Sequence, residues 1–416
     1  SRIWIDRRRT GFPLNMMSDE TPVSEEKAGS EAEAVTTVRS LRELIERVSG
    51  KGQWKLTREA DSGLAESLPF PFLALVGQTE MKLALLLAVI NPAVGGVLLL
   101  GPRGTGKTTA IRSLVDLLPE TPRSLCFYGC MPEDIEVGGL DAVCPDCARK
   151  YGQGEPLAAM DKVRLVELPL NARLEDVVGG LDERAAVQER VRLQRGILAL
   201  ADRNLLHVDE VNLLADEVVD AILDAAAQGT YSVRRGPLTA TYRARFGLIG
   251  SMNPEEGRLR PQIMDRFGLR VVVRGLSDVN ERMEAYRRVQ AYLTMPRRVV
   301  LAYAPETQLA QAELQVARDM LPQVVIPEEV SRLGLAMVHR LKIDSLRAEI
   351  TLFEGARAYA ALDNRLEVSA EDLRDVAPMA LRLRRSTFME KYFEDQGAEE
   401  AEISGIIDQA IKENGK

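Results

Sequence analysis

The stretch Val97-Leu98-Leu99-Leu100-Gly101-Pro102-Arg103-Gly104-Thr105-Gly106-Lys107-Thr108-Thr109 decides how the rest of the sequence is read. Four consecutive apolar residues predict a strand covered on both faces. Gly101 to Thr108 then fit G-x-x-x-x-G-K-S/T, and an amphipathic helix is expected from Thr108 to Leu118. Glycines at those positions let main-chain N–H groups turn inward around phosphate oxygens, at a helix N-terminus that favours an anion. Lys107 is placed to reach the terminal phosphates and Thr108 to ligate Mg²⁺. Gly101, Pro102, Arg103, Gly104, Thr105, Gly106 and Thr109 complete the cradle for a nucleotide, ATP.

A second piece lies downstream at Leu205-Leu206-His207-Val208-Asp209-Glu210, an apolar strand ending in two carboxylates. After a phosphate loop, Asp209 is placed to hold Mg²⁺ through water and Glu210 to polarise the attacking water. His207, inside the strand, is expected to be a packed core residue.

Similar short apolar runs occur at residues 96–100, 164–168, 204–208, 246–251 and 270–273, with helical patterns between them. The alternation predicts an α/β fold over residues 69–275, a parallel sheet flanked by helices. A linker is expected over 276–304. An all-helical domain is expected over 305–390, with helices at 305–320, 327–341, 346–362 and 369–385. Ser369 and Asp372 form a capping-box pattern at the start of the last. Residues 1–68 read as a largely disordered tail, basic over 1–15 and acidic over 18–34, with a short helix at 35–48, and 391–416 read as a C-terminal tail. Residues 228–245 read as a β-hairpin turning at Arg235-Gly236.

The composition bounds the class. The chain has 416 residues, 45% of them hydrophobic, which suits a soluble globular protein with more than one core. Lys and Arg number 54 against 62 Asp and Glu, a net charge of −8 that argues against a protein coating nucleic acid. The longest uninterrupted apolar run, 83–90, is far short of a membrane span. The acidic N-terminal stretch argues against an organellar transit peptide, so a cytoplasmic location is expected rather than a plastid stroma.

All four cysteines fall between Cys126 and Cys147, as Cys126-x₃-Cys130 and Cys144-x₂-Cys147, inside an insertion over 121–155. Two close pairs separated by a loop suit a tetrahedral thiolate site. Structural Zn²⁺ is the leading reading; an iron–sulfur cluster and free or redox-active thiols stay open beside it.

Further segments carry a family resemblance. Val208-Asp209-Glu210-Val211-Asn212-Leu213-Leu214, Gly250-Ser251-Met252-Asn253-Pro254-Glu255-Glu256-Gly257 and Leu259-Arg260-Pro261-Gln262-Ile263-Met264-Asp265-Arg266-Phe267-Gly268 resemble the ATPase I subunits of magnesium chelatase, within the AAA+ ATPases. The likeness runs in order over residues 69–385. It implies that Asn253 is the first sensor of the γ-phosphate. It implies that Arg266 is an arginine finger acting on a neighbouring subunit, with Arg260 the alternative. Arg347 would be the second sensor; the family pattern Leu-Arg-Gly-Asp stands here as Leu346-Arg347-Ala348-Glu349. The hairpin and a second insert at 177–182 would be loops that remodel a partner.

By resemblance, the chain is the motor of a complex that inserts Mg²⁺ into protoporphyrin IX on the way to chlorophyll or bacteriochlorophyll. It would form a homo-oligomeric ring, expected to be a hexamer, with an integrin-like D subunit and a porphyrin-binding H subunit. No Asp-x-Ser-x-Ser motif occurs in the sequence, so the integrin-like domain is expected on a partner. A related AAA+ chaperone of the MoxR or cobalt-chelatase kind is the alternative, and a nucleic-acid translocase a remoter one.

Overall fold

The structure, a computed structural model, describes residues 68–384 apart from residues 127, 181–192, 237 and 258. The expected helix at 35–48, both tails and the end of the 177–182 insert lie outside the described residues.

Nine strands are described: β1 (Val97–Leu100), β2 (Thr121–Ser124), β3 (Ala158–Asp161), β4 (Leu165–Leu168), β5 (Leu205–Val208), β6 (Thr230–Arg235), β7 (Leu238–Arg243), β8 (Gly247–Met252) and β9 (Leu269–Val272). Five of them form one sheet in the order β4-β5-β8-β1-β9, every pairing parallel. These are the five apolar runs of the sequence. Parallel strands buried on both faces need no polar alternation, and all four residues of both β1 and β5 are buried. Because the strands are parallel, β1, β5 and β8 end at the same edge, which brings together Gly101, Asp209 and Asn253.

The expected hairpin is present: β6 and β7 pair antiparallel from Thr230↔Arg243 to Arg235↔Leu238, with Gly236 at φ +59° in the turn. A separate antiparallel ribbon, β2 with β3, closes the cysteine-bearing insertion at its base.

The linker expected over 276–304 is instead helical, Val279–Thr294 followed by Pro296–Met320. Pro305, the expected start of the helix at 305–320, lies inside the second of these. One proline removes a single backbone donor, and the 25-residue helix runs on past it. Helices Glu328–Arg340, Leu346–Leu362 and Ala370–Leu381 follow as expected. The Ser369 hydroxyl accepts from the Asp372 amide at 3.3 Å, and the Asp372 carboxylate accepts from the Ser369 amide at 2.7 Å, so the capping box is formed. Apolar packing is continuous from Leu99 and Val271 on the sheet, through Leu85 of helix Thr79–Ile90, to Leu352 and Leu373 on these helices.

Candidate functional site

Gly106, at φ +86°, turns the chain into helix Lys107–Leu114, a conformation that costs a side-chain-bearing residue steric strain. No atom lies within 4 Å of where a Cβ would stand at Gly104 or Gly106, so the inner side of the loop is open to a phosphate. The Lys107 ammonium donates to the carbonyls of Gly101 at 2.7 Å and Pro102 at 2.8 Å. Partial burial lowers its pKa, against the pull of Asp209, Glu256 and Glu210. Residues 103–109 line a cavity of about 370 Å³ together with Asp209, Glu210 and Asn253. The structure thus gathers the phosphate loop, both strand-end carboxylates and the first-sensor candidate around one space.

Behind Asp209 stands a polar relay that the sequence did not reveal. The Ser251 hydroxyl donates to Asp209 Oδ1, which also accepts from the Glu210 amide at 3.1 Å. His207 Nε2 lies 3.4 Å from the Ser251 hydroxyl, and its Nδ1 is 3.9 Å from Glu167. His207 is buried, as expected, and that burial holds its pKa below the ordinary value and favours the neutral ring. It is therefore more than core packing: it abuts the serine that orients Asp209.

Glu210 sits at φ +46°, a left-handed conformation that is uncommon for a residue with a side chain. Its carboxylate meets Arg103 at 2.9 Å, and Arg103 also pairs with Glu256 at 2.7 Å. The Asn253 amide donates to Glu256 at 2.9 Å. Glu256 is held below the usual carboxylate range, first by the Asn253 hydrogen bond and then by Arg103. Arg103 occupies a position the motif leaves unspecified, and here it ties the water-polarising candidate to the first-sensor candidate.

Arg266 and Arg347 are placed elsewhere. Arg266 ends helix Pro261–Arg266 and pairs with Asp224 at 2.5 Å. Arg347 is exposed, 3.7 Å from Asp265. Both line one cavity that also includes Asp224, and neither lines the cavity around Lys107. Arg260, the alternative finger, pairs with Asp216. Asp265 is a hub the sequence did not announce: it meets Arg384 at 2.7 Å, Arg270 at 3.3 Å and the Ser345 hydroxyl at 3.2 Å. Burial, with Arg384 beside it, pushes the Arg270 pKa down to about 10.

The four cysteine sulfurs lie within 4.8 Å of one another. Cys126 Sγ is 3.5 Å from Cys144 Sγ and 3.8 Å from Cys130 Sγ. A tetrahedral site with Zn–S of ~2.3 Å needs sulfurs about 3.8 Å apart, so the donor set fits. The amides of Tyr128 and Cys144 donate to Cys126 Sγ and Cys130 Sγ, each at 3.3 Å, which suits thiolate ligands. Burial pushes the Cys130 thiol up to about 11 and that of Cys147 higher still, so metal binding here must release protons.

Fold and site together define an ATPase of the AAA+ class. An AAA lid domain profile matches residues 337–406, and an MCM P-loop domain profile matches residues 179–281. The magnesium-chelatase 38 kDa subunit of Acidiphilium rubrum is 43% identical over 318 residues, 76% of this chain and 90% of that protein. The magnesium-chelatase subunit ChlI homolog of Methanocaldococcus jannaschii is 39% identical over 83% of this chain and 93% of its own length. A solved structure of the complex between subunits BchI and BchD of magnesium chelatase contains a chain 38% identical to this one. The alignment covers 78% of this chain and 99% of that one at a TM-score of 0.44. The chain belongs to the magnesium-chelatase I-subunit family. Among the described residues no helix is long and apolar enough to cross a membrane.

Proposed function

We propose that this chain is the ATP-hydrolysing motor subunit of a magnesium chelatase, driving Mg²⁺ insertion into protoporphyrin IX. The observation that carries the reading is the convergence of residues 103–109, Asp209, Glu210 and Asn253 on one cavity. Lys107 neutralises the terminal phosphates. Thr108 and Asp209 hold a Mg²⁺ that offsets charge on the phosphate oxygens. Glu210 polarises the attacking water once its carboxylate leaves Arg103, and Asn253 orients that water against the γ-phosphate. Arg266 and Arg347 are absent from this cavity and share another, which supports their acting from one face on the nucleotide of a neighbouring copy in a ring, expected to be hexameric.

The same reading gives the chain a D-type integrin-like partner and a porphyrin-binding H-type partner. The four cysteines hold one structural Zn²⁺ with no open position for catalysis. Reconstitution tests the assignment: the chain, both partners, MgATP and protoporphyrin are combined, and Mg-porphyrin is followed by its fluorescence. The chain alone should hydrolyse ATP and form no Mg-porphyrin. Mg-porphyrin formation without partners would contradict the motor reading. ATP-dependent insertion of cobalt into a corrinoid, with no Mg-porphyrin formed, would move the chain to another chelatase.

A further inference from the structure

We infer that the four-thiolate metal site anchors the foot of the β6–β7 hairpin, so that metal occupancy sets how firmly the hairpin is held. The inference rests on the reading of the cysteines as a zinc site. Cys130 is followed at once by helix Pro132–Gly138, whose first turn carries Glu133 and Asp134. Asp134 caps the turn by accepting from the Met131 amide at 2.7 Å. The two carboxylates then reach out of the insertion. Glu133 accepts from Arg243 at 3.1 Å and from Arg203 at 2.5 Å, and Asp134 meets Arg243 at 2.6 Å.

The two arginines stand at meaningful places. Arg243 is the last residue of β7, paired across the hairpin with Thr230, the first residue of β6. Arg203 precedes β5, the strand that leads to Asp209 and Glu210, and its amide donates to the Arg245 carbonyl at 2.7 Å. One short helix therefore ties together the hairpin foot and the approach to the carboxylate strand. These are charge-assisted bonds between partly buried groups in a four-member network, the setting in which ion pairs carry weight.

That helix is only as well placed as the insertion that carries it. The insertion's apolar cluster has four buried members, Cys130, Ile135, Cys147 and Leu157, and the other two cysteines pack against them. A cluster so small, made largely of the ligands themselves, has little to hold it once the metal is gone. The tip of the hairpin has its own tether, since Arg235 donates to the Gly179 carbonyl at 3.2 Å. Zinc loss thus loosens the foot, which keeps only its main-chain ties such as Ala244 to Gly229, and leaves the tip's tether in place.

The test is hydrogen exchange on the full chain, with zinc content measured in parallel. Zinc-loaded protein should carry one zinc per chain. Removing it with a chelator should speed exchange in residues 121–161 and in 230–243 by about ten-fold or more, the equivalent of one lost charge-assisted bond, and leave β1 unchanged. The double variant Glu133→Gln with Asp134→Asn should keep its zinc and show the fast hairpin exchange whether or not zinc is present. Protein prepared without chelator that carries no zinc, and takes none up, would overturn the metal reading itself. One zinc per chain with hairpin exchange indifferent to its removal, or to the double variant, would leave the metal site standing and overturn the coupling. Loosening of β1 together with the hairpin would also overturn it, because the device is local.

Discussion

Arg266 and Arg347, on helices far apart in the sequence, line one cavity, while Lys107 lines another. On the proposed reading, both guanidiniums act on the nucleotide that a second copy presents to them. The Asp224 carboxylate that pairs with Arg266 would give way to the more highly charged phosphates.

Arg266→Ala should therefore bind ATP about as well as the parent chain and hydrolyse it about 10³-fold or more slower, the usual worth of an arginine finger. A fluorescent nucleotide titration beside a phosphate-release assay separates the two effects. Loss of binding in proportion to rate would place Arg266 in its own chain's cradle or in the fold.

Glu210→Gln should lower the hydrolysis rate by about 10²–10⁴-fold with ATP affinity retained, because Thr108 and Asp209 are left in place to hold Mg²⁺. Single-turnover kinetics at saturating ATP give the rate directly. An unchanged rate would pass the water-polarising role to another group.

Ser251→Ala removes the hydroxyl that donates to Asp209. Loss of such an orienting partner typically weakens metal binding by about 10- to 100-fold. The Mg²⁺ concentration for half-maximal hydrolysis should rise accordingly, while the rate at saturating Mg²⁺ stays near that of the parent. A fall in the saturated rate with an unshifted Mg²⁺ midpoint would contradict the orienting role.

Lys82 offers a pH test of the packing around helix Thr79–Ile90. Its ammonium is buried and donates to the Leu75 carbonyl at 2.5 Å. Burial, with Arg288 nearby, lowers its pKa from 10.5 to about 8. Between those values the unfolded chain holds the proton and the folded chain does not, so this group adds stability as pH rises from about 8 to 10.5. Denaturant unfolding across that range should show a positive slope relative to Lys82→Met, which lacks the titration. Parallel stability curves for the two proteins would contradict it.

Much of the fold was legible because a parallel sheet buried on both faces writes itself as unbroken apolar runs. All five runs became strands of one sheet, and the Gly236 turn made the hairpin readable too. The stretch 276–304 was misread because the exposed helix Val279–Thr294 buries little beyond Arg288, so its apolar spacing gives a weak signal. The phosphate loop and the Asp209-Glu210 pair are local motifs and could be read directly. The partners that orient them could not. Ser251 reaches Asp209 from the neighbouring strand, and Arg103 reaches Glu210 and Glu256 from two separate segments. Arg270, counted in the apolar run 270–273, is a buried cation held by Asp265 and by carbonyls of residues 382 and 383. Such pairings depend on which strands the topology makes adjacent, and no local spacing encodes that.

The central claim is that each nucleotide site is completed by an arginine from a neighbouring copy. Mixing Lys107→Ala with Arg266→Ala chains, under conditions where subunits exchange, tests it most directly. Each variant alone should be nearly inactive. In an equal mixture, about a quarter of the interfaces join an intact Lys107 cradle to an intact Arg266 from the next copy, as random placement in a closed ring requires. The account predicts ATP hydrolysis recovering toward that fraction of the parent rate. A mixture no more active than the sum of its two parts, with exchange verified by labelled subunits, would contradict it.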